Sequence, residues 1–574
     1  SAASDVYKRQ SLYDPSGSFQ NINRRYDIVY GDVMLNFNYN IRRFDIAATL
    51  GWTGRYENMN NMRVSTNGGL VTENWFDLNA SRYTASSTLQ RMELLKTGYM
   101  GTLSLGWDNY LFLELTGRQE RSSTLKDQSF FYPSANLSFL FSNAFRMPAW
   151  WNHGKLRLSY GVVGNAPETY AANIIYEQGS DNGFTWNYVP SSWGNANIRP
   201  EKKYEYEIGF ESKFLNNRLG FDVSYYNNRV KDQILSTPQP STSGVKYVLM
   251  NVGEVANEGW DISVSATPVL TKNFRWDLTA NYGIYRNKVV KLADGVPYLE
   301  ISNIGGGGAK IQAVEGRPMG DIYVQVPQMN ENGEYLVSDK GLYMNQTELQ
   351  RVGNINPDGV GGLFSSFSYK NIFLDFSIDF RIGGDVINEM YQYSTASGLT
   401  PESLQFRDTE HGGLSYYYPG NNNASGVPVQ VDPSLGAGPN GETVYHDGVI
   451  LPGVVASTGE KNTRIIPAGY YYNQTYNWGT QPEQLTYRHS VFDNSYVKLR
   501  ELTIGYQFPE KLISKLGMTR LSVSVFGRNL FYFYKALKNY DAESSVGTSW
   551  ASQAVVGGST TATRNFGVSL RASF

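Results

Sequence analysis

The last nine residues, Phe566-Gly567-Val568-Ser569-Leu570-Arg571-Ala572-Ser573-Phe574, put apolar side chains at every even position and small or polar ones between. A period of two places all the apolar residues on one face of an extended strand. One such strand fits any antiparallel sheet, but the pattern recurs along the whole chain. It is found in 204–211, 260–266 and 372–381, where charge faces one way and apolar residues the other. Similar runs are 33–39, 44–52, 103–107, 111–115, 137–141, 156–162, 219–225, 274–284, 363–369, 502–508 and 521–525. Together these give roughly 15 strands of the length that crosses a bilayer obliquely.

The connections between the runs alternate in length. Residues 40–43 are tight and 53–96 long; 108–109 are tight and 119–129 longer; 216–218 are tight and 228–257 long; 370–371 are tight and 383–494 very long. A transmembrane barrel has this asymmetry, with short periplasmic turns and long extracellular loops. A soluble sandwich or propeller has no reason to gather its long loops on one side. The fold class expected is all-β, a transmembrane antiparallel β-barrel. Single-chain bacterial barrels close with an even number of strands. An odd count with a periplasmic C-terminus therefore predicts that the barrel begins upstream, and that 566–574 pairs with a first strand this chain does not contain. Residues 1–23 read as a non-native, adapter-like start (Asp5-Val6-Tyr7-Lys8-Arg9-Gln10) and a partial extracellular loop, and 24–574 as the C-terminal part of a barrel.

Composition narrows the function. The 574 residues contain 42 Tyr and 57 Gly, with a mean hydropathy of −0.40 and no helix-length apolar run. Net charge is −2 with no basic stripe, so no nucleic-acid partner is expected. Cys is absent and His numbers four, which removes disulfides, thiol catalysis and most zinc sites; no cofactor and no metal are expected. Tyr204, Trp260, Trp276, Tyr282, Tyr506 and Phe508 lie near run ends, as interface aromatics do. The other face carries Glu205, Glu207, Glu211, Asp222, Asp261, Asp277, Asp375, Asp379 and Arg381, which could not face hydrocarbon and imply a wet or plugged lumen.

Several segments resemble the barrel of the SusC/RagA-type TonB-dependent outer-membrane transporters. They are Lys155 to Asn165, Arg199-Pro200-Glu201-Lys202, Phe214-Leu215-Asn216-Asn217-Arg218-Leu219, Asn251-Val252-Gly253 and Asn257-Glu258-Gly259-Trp260. Further on come Glu315-Gly316-Arg317-Pro318-Met319-Gly320, Gly361-Gly362-Leu363-Phe364, Ser495-Tyr496-Val497-Lys498-Leu499-Arg500 and Gly527-Arg528-Asn529-Leu530-Phe531. The resemblance covers the chain from about residue 24. It implies a barrel of about 22 strands, of which this chain holds part, around an N-terminal plug that the chain lacks. It also implies coupling to the TonB complex through the missing N-terminal region, a SusD-like surface lipoprotein as lid, and residence in the outer-membrane lipid of a Gram-negative cell. The expected function is TonB-dependent import of a nutrient glycan or oligopeptide. Phe566, Val568, Leu570 and Phe574 resemble the terminal signal read by the barrel-assembly machinery. The segment Asn330-Glu331-Asn332-Gly333-Glu334-Tyr335, followed by Asp339, lacks the alternating acidic ligands of a calcium loop, and no calcium is expected there.

Catalysis has little support. His153, His411, His446 and His489 are scattered, without metal-ligand spacing, and there is no nucleotide-binding motif. The chain reads as a transporter and not an enzyme. Ligand contact is expected instead from aromatic residues of the long loops: Trp186, Tyr188, Trp193, Tyr416, Tyr417, Tyr418, Tyr471 and Trp478. Aromatic faces stack on sugar rings and also fill protein interfaces. The run Gly305 to Gly308 follows no strand into a helix, so it reads as a loop and not a phosphate cradle. The alternatives are a passive outer-membrane porin and a surface ligand-binding or adhesion barrel.

Overall fold

Every alternating run overlaps a strand of one sheet, and most strands extend beyond their run. The computed structural model describes residues 16–574 apart from 127, 182–183, 239–241, 243, 305–307, 477–486, 538, 546, 548 and 559–561. In chain order the sheet holds β1 (Gln20–Ile41), β2 (Phe44–Leu70), β3 (Ser81–Trp107), β4 (Leu111–Ser122), β5 (Ser129–Phe139), β6 (Trp151–Asn165), β7 (Glu201–Phe214) and β8 (Leu219–Lys231). It continues with β9 (Glu254–Leu270), β10 (Phe274–Lys291), β11 (Gly359–Tyr369), β12 (Ile372–Ile382), β13 (Tyr496–Gln507), β14 (Arg520–Lys535) and β15 (Asn565–Ser573). These fifteen strands pair in chain order, antiparallel, from β1 to β15. The expected fold class is borne out.

The connections alternate along most of the sheet, but 123–128 between β4 and β5 is shorter than 140–150 between β5 and β6, and two segments read as loops are partly strand. Residues 53–96, read as a long loop, are mostly strand: β2 and β3 stay in register from Thr53↔Gly98 to Ser65↔Ser86, and only 71–80 join them. This stretch, Glu57-Asn58-Met59-Asn60-Asn61, is polar on both faces and carries no alternation to read. The 228–257 segment likewise contains a hairpin, Ile234–Pro238 against Tyr247–Asn251. The tight turns are made by left-handed residues: Asp108 and Asn109, then Leu215, Asn216 and Asn217 with φ of 55, 58 and 63°. Asn accepts that region more readily than most residues. Pro509 stands at the N-cap of the short helix Glu510–Ile513.

The two faces of the sheet differ in chemistry. On β1, Val29, Val33, Leu35, Phe37, Tyr39 and Ile41 are all exposed, and on β15 Phe566, Val568 and Leu570 are each at least 70% exposed. Leaving such side chains in water would cost roughly 1.5–3 kcal/mol each. An apolar band of this kind is stable against lipid, and the charged face is its complement. Small residues let rings meet across strands on the apolar face. Gly361 sits between its partners Tyr282 and Phe380, whose rings stack at 6.0 Å. Among the described residues no helix is long and apolar enough to cross a membrane.

Internal contacts divide the chain into two units. One comprises Ser1–Phe145, Leu156–Glu207 and Asn228–Glu254; the other Arg146–Lys155, Ile208–Asn227 and Val255–Phe574. In the first, a small core of Leu125, Phe130 and Ile198 lies under the connections, with Tyr132, Ile234 and Leu249 against it. In the second, the buried apolar core belongs to the long connections. Ile304, Ile311, Ile322, Val324, Ile355 and Ile387 form one cluster, and Leu342, Val449, Leu451 and Ile466 another. The loops of this unit thus form a folded layer with its own sheets, such as 298–304 with 309–314, 321–324 and 350–354.

Candidate functional site

Several charges on the polar face of the sheet are paired within it. Asp277 accepts from Arg275 at 2.6 Å and Thr267 at 2.7 Å, and Asp375 accepts from Ser366 at 2.6 Å. Asp222, Asp261, Asp379 and Arg381 border a single cavity of about 560 Å³ together with Asn281 and Tyr496. Glu205 takes Asn228 at 3.1 Å and Lys203 at 2.6 Å, and Glu211 lies 3.6 Å from His153. Several of the charges predicted from alternation are therefore held by hydrogen bonds or ion pairs on the polar wall.

Sequence reasoning missed the strongest cluster on this wall. The register of β12 on β13 passes from Ser377↔Glu501 to Ile378↔Leu499, leaving Arg500 as the extra residue of a bulge. A bulge re-aims a side chain. Arg500 reaches Asp379 at 2.7 Å and also Glu543 in the 536–564 connection. Lys498, only 2% exposed, donates to the same Glu543 at 2.5 Å. Asn529, left-handed at φ 53°, supplies a further acceptor to Arg500 at 3.2 Å. The motifs 495–500 and 527–531 meet in this bulge, and only their joint register reveals it.

Other resembling motifs prove to be clamps. Asn251 accepts from the Arg199 backbone N–H at 2.7 Å and donates to the Arg199 and Asp232 carbonyls at 2.7 and 3.0 Å. Glu201 accepts from the Ile234 N–H at 2.7 Å. In the 315–320 motif, Gly316 and Gly320 take φ of 81 and 93°. That turn presents Arg317 to Asp321, which is fully buried and accepts from Arg317 at 2.5 Å, Arg351 at 2.9 Å and Asn354 at 2.9 Å.

The loop aromatics separate into two classes. Trp186 and Tyr188 lie on Phe184–Tyr188, a hairpin strand facing Glu177–Asp181, and both are exposed. The Glu177 carboxylate beside Tyr188 raises its phenol above the usual range. Trp193 pairs with Val248 and is half-buried, its indole N–H without a partner among the described residues. Tyr416, by contrast, is buried core; its hydroxyl donates to Asp447 at 3.1 Å, and burial pushes its phenol up. Tyr417 and Tyr418 are half-buried. Tyr471 lies on helix α1 (Ala468–Tyr476), packed against the second apolar cluster, with its phenol pushed up by burial. Trp478 lies outside the described residues, as do 305–307 of the glycine run and residues 1–15 of the adapter-like start.

The histidines are held by separate local partners. His411 contacts Asp408 at 2.7 Å, His446 contacts Ser415 at 2.8 Å, and the His489 ring lies tilted against Tyr476 at 5.7 Å. The 330–335 segment closes on itself, Asn330 accepting from the Asn332 and Glu334 N–H groups at 3.0 and 2.9 Å. Among the described residues no group of three or more His, Asp or Glu is placed to hold a metal ion.

Comparison with known proteins gives this wall a family. The family model described as TonB dependent receptor-like, beta-barrel matches residues 2–321. The chain belongs to the TonB-dependent receptor β-barrel family. Within it, TonB-dependent receptor P3 of Formosa agariphila is 22% identical over 494 residues, covering 78% of this chain and 42% of that protein. TonB-dependent receptor SusC of Bacteroides thetaiotaomicron is 27% identical over 256 residues, covering 39% and 24%. Among solved structures, the RagAB peptide importer in its open-open state superposes with a TM-score of 0.69 at 18% identity, covering 97% of this chain and 56% of that one. That likeness concerns the fold. The resemblance to SusC/RagA-type receptors is borne out. The chain spans about half or less of the length of the TonB-dependent relatives it matches.

Proposed function

We propose that this chain is the C-terminal part of the barrel, residues 24–574, of an outer-membrane transporter that imports a nutrient oligosaccharide or oligopeptide with energy from the TonB complex. The observation that carries this reading is the partition of the sheet: a lipid-facing apolar band, a hydrogen-bonded polar wall behind it, and a folded layer of long connections beyond one set of strand ends. The polar wall offers the passage, and the loop layer offers the surface for capture. Trp186 and Tyr188, which are exposed, and Trp193, Tyr417, Tyr418 and Tyr471, which are half-buried, are open to contact with a ligand or a SusD-like lipoprotein lid. The RagAB likeness supports the peptide alternative for cargo and a paired lipoprotein, and SusC supports the same receptor class. The plug and the TonB-contacting segment would be encoded upstream. Phe566, Val568, Leu570 and Phe574 would serve as the assembly signal, an apolar stripe ending on an aromatic.

Deleting the gene in its native host and following labelled oligosaccharides and oligopeptides tests this. Uptake of one class should fall, and a protonophore or loss of TonB should lower it equally in the parent strain. Uptake indifferent to both treatments would make the barrel a passive porin. A SusD-like lipoprotein should co-purify in mild detergent.

A further inference from the structure

In the loop layer of the second unit, two connections meet at a cavity of about 410 Å³ whose ionisable lining is entirely cationic apart from tyrosine. Lys340 comes from the 292–358 connection and Arg464 from 383–495, with Tyr418, Tyr470, Asn423 and Ser425 around them. The two connections are tied together next to the cavity. Val454 N–H donates to the Tyr335 carbonyl at 2.9 Å, Ala456 N–H to Val337 at 2.9 Å, and Ser457 to Asp339 at 2.6 Å. Arg464 is held by its backbone: its N–H donates to Asn462 at 3.0 Å, and buried Asn462 donates to the Leu451 carbonyl at 2.8 Å. Its aliphatic stem lies against Gly341, which takes φ 86° and leaves no side chain in the way. Both cationic heads remain uncommitted. No carboxylate among the described residues pairs with Lys340 or Arg464; nearby Asp447 accepts from Tyr416, and Asp339 from Ser457.

Two like charges held around one concavity without a counter-ion are unfavourable until an anion arrives, and charge-assisted hydrogen bonds to that anion are the strong kind. The remaining lining is aromatic, hydroxyl and amide. The Tyr418 ring is fixed edge-on by Tyr416 at 5.6 Å and Tyr445 at 6.1 Å. Such a ring matches the C–H face of a sugar, while Asn423 and Ser425 match its hydroxyls. An extended peptide is disfavoured because the sheet edge at the cavity is Ile466–Pro467, and proline has no N–H to extend a ladder.

We propose that this cavity is a subsite for an acidic saccharide, taking the carboxylate or sulfate ester of one sugar between Lys340 and Arg464 and its ring against Tyr418 and Tyr470. The assignment rests on the importer reading and names its substrate class. It is tested by calorimetric titration of the protein, in the longest form its gene encodes, purified in detergent. The probes are hexagalacturonate, a sulfated galactan hexasaccharide, maltohexaose and hexaglutamate. One or both acidic hexasaccharides should bind about ten-fold or more tighter than maltohexaose, and which one binds separates carboxylate from sulfate. Lys340→Gln and Arg464→Gln should each weaken that binding about ten-fold or more, with Arg464→Lys retaining part of it. Lys340 is exposed, so its variant is expected to fold whatever happens at Arg464. Binding of maltohexaose as tight as the acids, an unchanged affinity in Lys340→Gln, or binding of hexaglutamate alone would overturn the proposal. Titration needs no TonB. Acid binding without energised uptake would sink the importer reading alone, and energised uptake without acid binding would sink the subsite alone.

Discussion

At the level of single residues, the sites that decide stability lie in the loop layer, and the sequence gives little sign of them. Asp321 reads as one more loop carboxylate, yet it is fully buried between Arg317 and Arg351. Removing one member of a buried ion cluster strands the others. Asp321→Asn is therefore expected to cost about 3–5 kcal/mol, read as a lower denaturation midpoint of the loop layer. Glu442 is a second case. The Asn440 N–H at 2.8 Å, the Asn440 amide at 3.1 Å and the Gly420 N–H at 3.3 Å hold its carboxyl down at about 2. Its pKa is lower folded than unfolded, so its contribution is complete above the ordinary value of 4.5 and is lost as pH falls towards 2. Limited proteolysis of residues 419–443 should be flat from neutrality to about pH 4.5 and rise below it. Glu442→Gln should raise cleavage at neutral pH and abolish that pH dependence. What the sequence could show was residue type and the near neighbours Arg317 and Asn440; the distant partners Arg351, Asn354 and Gly420 were invisible to it.

At the level of elements, alternation located all fifteen strands because a wall between lipid and a wet lumen enforces it residue by residue. Legibility ended where the enforcing solvents ended. In the outer half of β2 polar residues fall on both faces, so nothing in 57–63 distinguishes strand from loop. The bulge at Arg500 was hidden for a related reason, since one inserted residue shifts register without changing composition. The loop aromatics misled in the other direction: ring-rich sequence marks a packed core as readily as a binding face, and Tyr416 with Tyr471 belongs to the former. The two faces of β15 make a paired prediction. Val568, opposite Val525 on the apolar face, changed to Arg should cost about 2–4 kcal/mol and sharply reduce heat-modifiable folded barrel in outer-membrane fractions. Ser569→Arg, on the opposite face one residue on, should leave that yield near the parent level. Equal losses would mean that the faces are misassigned.

At the level of the whole molecule, the second unit combines two kinds of stability. Its wall holds by strand pairing and has its large apolar side chains exposed on the lipid-facing side, whereas its loop layer holds by a buried core of the water-soluble kind. Urea acts on exposed apolar and peptide surface, so in detergent it should open the loop layer before the wall. Fluorescence from Trp550, which donates to Asn356 beside the core residue Ile355, should then change at lower urea than the far-ultraviolet strand signal. Coincident transitions would show one cooperative body instead. The same separation has an evolutionary reading. Because the layer around Lys340 and Arg464 carries its own core, a lineage could trade one recognition cassette for another while the membrane-spanning chassis stays unchanged.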